Sequence, residues 1–132
     1  MDCRSAIEHI EKAIEEIKQK NKEIPIIVEG EKDVEALHRL GINGEILIVH
    51  CGKKIANFCD IIASKYKEII ILTDWDKKGW RLCKKIEENL KGRTKCFTEY
   101  RLIFARYSMV KDIEGIPSFM IHLKERARVN SK

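Results

Sequence analysis

The stretch Ile69-Ile70-Ile71-Leu72-Thr73-Asp74-Trp75-Asp76-Lys77-Lys78-Gly79 constrains this chain more than any other. Four consecutive aliphatic residues without polar alternation describe a strand buried on both faces, the condition of a central strand in a parallel sheet covered by helices. That strand runs directly into two carboxylates, Asp74 and Asp76, then two lysines, a glycine and a helix-like segment. In open α/β sheets the carboxyl ends of the strands form the crevice in which ligands bind. Two carboxylates on one short loop suit a hard cation such as Mg²⁺, which takes one or two acidic oxygens and leaves other positions to water and phosphate. Asp is equally favoured as a loop-turning residue or as the cap of the following helix. The loop alone does not choose between these roles.

A second stretch, Pro25-Ile26-Ile27-Val28-Glu29-Gly30-Glu31-Lys32-Asp33, repeats the order of aliphatic strand, acid, glycine and helix start. Gly30 has access to positive φ and is expected to turn the chain sharply and admit a ligand close to the backbone. If the two strands are neighbours, Glu29, Asp74 and Asp76 converge on one point. The pair of motifs, Val28 to Asp33 and Thr73 to Gly79, resembles the Toprim domain of type IA and type II topoisomerases, bacterial primases, recombination mediators and 5S ribosomal RNA maturation nucleases. The resemblance extends over roughly Ile24 to Glu99.

The resemblance implies a Rossmann-like α/β fold, a first-strand glutamate acting in acid/base chemistry or as a metal ligand, and an Asp-x-Asp pair coordinating Mg²⁺, for which Mn²⁺ can substitute. The matching residues are Glu29 for the first role and Asp74 and Asp76 for the second. A divalent ion offsets the repulsion of three clustered carboxylates, and without one at least one carboxyl pKa rises. For Glu29 to meet Asp74, the first and third strands must be adjacent. The expected sheet is therefore parallel and four-stranded, of order 2-1-3-4, with helices on both faces and the site where the strand order reverses.

At 132 residues the chain is expected to form one domain. Residues 1–22 read as an extra N-terminal amphipathic helix, with Ile7, Ile10, Ile14 and Ile17 on one stripe and Ser5 and Glu8 spaced as a capping box. Residues 23–99 hold the Toprim-like core, and 100–132 a basic helical extension whose final Val129 to Lys132 is expected to fray. Helices are expected over about Lys32 to Leu40, from the His50-Cys51-Gly52 turn to Ser64, and over Lys78 to Leu90; strands over Glu23–Glu29, Glu45–Val49, Glu68–Thr73 and Lys95–Glu99. The absence of long apolar runs and of a signal-peptide pattern leads to the expectation of a cytoplasmic protein without a membrane partner. Five scattered cysteines without metal-ligand spacing read as reduced thiols.

Net charge is +5, and its distribution is uneven. Residues 1–90 carry 16 basic and 17 acidic side chains, whereas residues 91–132 carry 10 basic and 4 acidic ones. Such asymmetry fits an anionic partner, nucleic acid first, although scattered cations also simply solvate a surface. Arg101, Arg106, Lys124, Arg126 and Arg128 are the cations expected to meet it.

Candidate phosphate contacts lie around the same sheet edge: Gly30 and Lys32 at the second helix; Gly52, Lys53 and Lys54 after the second strand, which read equally as a plain turn and a solvated helix face; and Lys77, Lys78 and Gly79 after the acidic loop, where the lysines either neutralise phosphate or only screen the carboxylates. Gly79 also permits close helix–strand packing. Asp33 is read as a helix cap. Lys111-Asp112-Ile113-Glu114 resembles the lysine-aspartate stretch that follows the core in the maturation nucleases, making Asp112 a possible extra carboxylate. Trp75 is left open between base stacking and core, and Trp80 is assigned to the core.

The resemblance implies Mg²⁺-dependent phosphodiester chemistry on nucleic acid by a small nuclease, RNA slightly favoured over DNA. The alternative is a non-catalytic module that binds metal and nucleic acid or docks on a larger enzyme. Sequence leaves the substrate and the oligomeric state open.

Overall fold

A computed structural model describes residues 2–49 and 54–130, the last of these by its backbone alone. The aliphatic runs pair as a parallel sheet of β1 (Ile26–Val28), β2 (Ile46–Ile48), β3 (Glu68–Ile71) and β4 (Lys95–Phe97), in the order β2-β1-β3-β4. Register sets Ile26 opposite Ile46 on one side and Ile70 on the other, and Ile27 opposite Leu47 and Ile71. Every residue of β1 is buried, as is β3 from Ile69 onward, so both strands are apolar throughout rather than alternating.

Successive side chains still point to opposite faces. Ile26, Val28, Ile70 and Leu72 join one core, with α1 (Cys3–Lys20), α2 (Glu31–Arg39), α5 (Glu99–Tyr107) and α6 (Ile116–Asn130). Ile27, Ile69 and Ile71 join the other, with α3 (Ile55–Lys65) and α4 (Lys77–Leu90). Helices thus cover both faces, as the strand–helix alternation requires. Among the described residues no helix is long and apolar enough to cross a membrane.

Helix α1 buries Ala6, Ile10, Ala13 and Ile17 against α5 and α6. Each buried isoleucine contributes about 1.5–3 kcal/mol relative to exposure. Its N-cap is Asp2, whose side chain accepts from the Arg4 amide, and not the expected Ser5–Glu8 box; Ser5 lies inside the first turn and faces His9 instead. Beyond its end the buried Asn21 amide donates to the Ile24 and Glu45 carbonyls and accepts from the Gly44 amide at 2.8 Å, tying α1 to the start of β2. Helix α2 ends in a Schellman motif: Gly41, at φ 82°, donates to the His38 carbonyl and Ile42 to that of Leu37.

Between α5 and α6 the chain makes a 3-10 turn at Ile113–Gly115. Helix α6 continues to Asn130, so Val129, expected to fray, is helical, while Ser131 and Lys132 lie outside the described residues. Cys59 and Cys83 are buried and Cys3 and Cys96 half-buried, all four as free thiols. Cys51 lies outside the described residues.

Candidate functional site

Adjacency of β1 and β3 brings their carboxyl ends together. Pairing continues past β3, with the Leu72 amide donating to the Ile27 carbonyl at 2.8 Å. Two residues on, the Asp74 amide donates to Glu29 Oε2 at 2.7 Å. Glu29 and Asp74 therefore sit on neighbouring strand ends.

The acidic loop is held from three sides. Beneath it, the Thr73 hydroxyl donates to the Gly79 carbonyl, and Asp76 caps α4 by accepting from the Gly79 amide at 2.8 Å. A Cβ on Gly79 would stand 1.8 Å from the Asp74 carbonyl oxygen, so the loop and the helix start can approach this closely only over a glycine. Behind it, Arg101 is 4% exposed and donates through Nε to the Thr73 carbonyl at 2.9 Å and through Nη2 to that of Asp74. To the side, the Trp75 amide donates to the Lys111 carbonyl at 2.9 Å and its indole N–H to the Val110 carbonyl. The Trp75 ring packs against Phe104 at 5.6 Å between centroids. Trp75 is thus a half-buried latch rather than an open stacking platform.

That latch draws the 110–115 segment over the site. Asp112 caps the 3-10 turn by accepting from the Gly115 amide at 3.0 Å. Asp33 is buried and accepts from the Glu114 amide at 3.2 Å. It is not the cap of α2, because that position belongs to Gly30; Asp33 lies three residues into the helix, where its side chain turns back toward the N-terminal end. Burial, followed at a distance by the Asp112 and Glu29 charges, raises its pKa above the usual carboxylate value, against the lowering effect of the Glu114 and Gly30 amides.

The consequence concentrates on Asp74. Burial first, then the carboxylates of Glu29, Asp33, Asp112 and Asp76, push its carboxyl up to about 7. Among the described residues no cation is ion-paired with Glu29, Asp74 or Asp76, and the Asp74 carboxylate accepts no hydrogen bond. Excess negative charge on hard oxygen donors is what a divalent cation offsets, so the donor chemistry fits Mg²⁺ or Mn²⁺. The side chains are neighbours without being gathered: among the described residues no three acidic, histidine or cysteine groups form one coordination set. Glu29 and Asp76 each turn an oxygen to a backbone amide.

The basic candidates fall out unevenly. Lys77 and Lys78 are exposed on the first turn of α4. Lys32 is exposed and pairs with Glu114 at 3.9 Å. Gly30 is extended, at φ −158°, and does not make the sharp positive-φ turn expected of it; a Cβ there would meet open space, leaving the backbone approachable. Lys53, with His50 and Gly52, lies outside the described residues. Arg101 is not available to phosphate, since it is buried with Nε and Nη2 donating beneath the acidic loop. Lys124 pairs with Glu11 at 3.4 Å, and Arg106 lies over the Tyr107 ring. Trp80, assigned to the core from sequence, is 53% exposed because it sits on the outer side of α4.

A parallel sheet with acids clustered where its strand order reverses defines a Toprim-type α/β domain. The chain belongs to the Toprim domain family, whose family model matches residues 24–107. It is similar to the UPF0292 protein of Thermoplasma volcanium, 38% identical over 102 residues that cover 76% of this chain and 86% of that protein. It is also similar to the UPF0292 protein of Methanocaldococcus jannaschii, 35% identical over 116 residues covering 86% and 91%. Among solved structures a protein from Aquifex aeolicus superposes with a TM-score of 0.67 at 27% identity, covering 78% of this chain and 94% of that one. Family membership gives the chain a metal-dependent, nucleic-acid-related context.

Proposed function

We propose that the domain carries out Mg²⁺-dependent phosphodiester chemistry on nucleic acid, as a small nuclease with RNA slightly favoured over DNA. The observation that carries this reading is the meeting of Glu29 and Asp74 on neighbouring parallel strand ends, where the Asp74 amide donates to Glu29 Oε2 at 2.7 Å and burial with four other carboxylates pushes the Asp74 carboxyl up. Carboxylates brought together in this way cost folding stability, and a bound cation would offset that cost. Asp74 and Asp76 would hold the metal, with Glu29 either completing its ligands or serving as general acid/base; Asp112 would add a further carboxylate. Bound Mg²⁺ polarises a phosphoryl oxygen and offsets the charge of the leaving oxygen. Gly30, Lys32, Lys77 and Lys78, with Lys53 as a further candidate, would bind and orient the phosphate backbone, while Gly79, whose amide and carbonyl are taken by Asp76 and Thr73, would set the close approach of loop and helix. Arg101 and Trp75 would keep the acidic loop in place while this happens.

The second reading, a non-catalytic module binding metal and nucleic acid or docking on a larger enzyme, draws on the hydrogen bond by which Glu29 is held to the Asp74 amide. Calorimetric Mg²⁺ titration paired with cleavage of structured RNA and single-stranded DNA separates the two. Asp74→Asn and Asp76→Asn are expected to weaken Mg²⁺ binding, with part of the cleavage recovered at higher metal. Glu29→Gln is expected to lower cleavage about 10²–10⁴-fold while retaining metal if Glu29 transfers protons, and to behave like the aspartate variants if it is a ligand. Metal binding without cleavage across the panel would leave the docking module in place; absence of both would reduce the three acids to caps and strand ends.

A further inference from the structure

The exposure of Trp80 has no use in the fold. Tryptophan is the side chain with most to gain from burial, and its neighbours on α4, Gly79 and Cys83, are buried while it is not. Its surroundings are equally one-sided. Between Lys77 and Ile86 the helix carries five cations and no acid; the next acidic residue is Glu87. Lys77, Lys78, Trp80, Arg81, Lys84 and Lys85 are all exposed. At 100° per residue these six positions share one arc of roughly 160°, opposite the buried stripe of Gly79, Cys83, Ile86 and Leu90. Lys84 Nζ lies 5.7 Å from the Trp80 ring centroid, so aromatic and cation stand together on that face. The face starts at the Asp76 cap, one turn from the carboxylates, and helical side chains lean back toward the N-terminal end.

We infer that the outer face of α4 is a docking surface for single-stranded nucleic acid, with Trp80 stacking on an unpaired base and Lys77, Lys78, Arg81, Lys84 and Lys85 tracking the phosphates. The inference rests on the proposal that nucleic acid is the partner, and not on whether the carboxylates cleave it. Five cations without an acid match a polyanion, and a flat ring among them matches a base. An exposed aromatic beside a cationic track binds single strands without reading sequence, because every base offers a π-face. A duplex keeps its bases stacked inside and offers the ring nothing. A strand lying along α4 toward Asp76 would bring its backbone to the acidic loop.

The test is fluorescence anisotropy with labelled 15-nucleotide single strands of RNA and of DNA and a duplex of the same length, in EDTA and across a salt series. Trp80→Ala is expected to weaken single-strand binding roughly 5- to 100-fold and to leave duplex binding unchanged. Trp80→Phe should keep most of the affinity while losing the oligonucleotide-dependent quenching of tryptophan emission, since Trp75 is latched to Val110. Replacing the five cations by glutamine should flatten the slope of log affinity against log salt, by about 0.7 per lost phosphate contact. All these positions are exposed, so circular dichroism should match wild type. Unchanged binding by Trp80→Ala, duplex bound as tightly as single strand, no binding at low salt, or displacement by polyglutamate as efficient as by oligonucleotide would each overturn the inference. Asp74→Asn, which tests the metal site, is expected to bind single strands at least as well as wild type in EDTA. Loss of cleavage with retained Trp80-dependent binding, or the converse, therefore tells the two proposals apart.

Discussion

Replacing Asp74 by asparagine should make the metal-free protein more stable at pH 8 and reduce its stabilisation by Mg²⁺. In the folded chain, burial and then the Glu29, Asp33, Asp112 and Asp76 charges push this carboxyl from 3.8 up to about 7. A carboxyl whose pKa is higher folded than unfolded holds more protons in the folded state between those two values. Stability therefore is greatest below the unfolded pKa, declines as pH rises from about 4 to about 7, and stays low above that. The gap corresponds to a ceiling of about 4 kcal/mol. Asp74 is only half-buried, and water screens part of the repulsion, so about 2 kcal/mol is expected at pH 8 and almost none at pH 4. Asparagine keeps the shape and carries no charge. Urea unfolding in EDTA at the two pH values measures the difference, which should move the midpoint by roughly 1 M at pH 8. Mg²⁺ at 100 times the wild-type Kd should then add about 2.7 kcal/mol to wild type and much less to the variant, whose metal binding is weakened. An Asp74→Asn protein no more stable than wild type at pH 8, or one whose advantage is the same at pH 4, would refute the account of a strained carboxylate cluster.

Gly79→Ala would ordinarily favour a helix by about 1 kcal/mol, but its Cβ would meet the Asp74 carbonyl oxygen at 1.8 Å and the carbonyl carbon at 2.5 Å, neither of which can yield without moving the loop. A loss of about 3 kcal/mol in urea unfolding is expected, together with weakened Mg²⁺ binding by calorimetry; stability equal to wild type would show the contact to be soft. Arg101→Leu leaves the Thr73 and Asp74 carbonyls without their charged donor and should cost about 3 kcal/mol, while Arg101→Lys recovers part of it. Because Arg101 is buried, removing its charge in the Leu variant should leave the salt slope of nucleic-acid binding unchanged, and a flattened slope would return Arg101 to the surface.

How much of this was legible in the sequence follows from how far each interaction reaches along the chain. Ile69 to Leu72 and Ile26 to Val28 declared central parallel strands by being apolar on both faces, and the order 2-1-3-4 followed once Glu29 and Asp74 were required to meet. Gly79 was recognisable as a close-packing glycine because its neighbours on both sides belong to one βα turn. Local pattern was less reliable for ends and caps: Asp2 competed with Ser5 for the same helix start, and Gly30 did not need its positive φ.

What the tertiary structure decided lies across long separations. Asp33 reads as a cap until the 110–115 segment folds over it, and its burial comes from a partner 81 residues away. Arg101 counts as surface charge until α5 packs under the acidic loop and hands its guanidinium two carbonyls 27 and 28 residues earlier in the chain. Trp75 and Trp80 stand five residues apart, yet one is latched and the other exposed: Trp75, in the loop before α4, meets the Val110 and Lys111 carbonyls 35 and 36 residues later, whereas Trp80 falls on the side of α4 turned away from the sheet. The strand ends and their acids follow from short-range hydrophobic pattern, which a linear chain displays. The raised Asp74 carboxyl and the basic, aromatic face of α4 depend on which distant groups share a dielectric boundary, and only the packed chain sets that boundary.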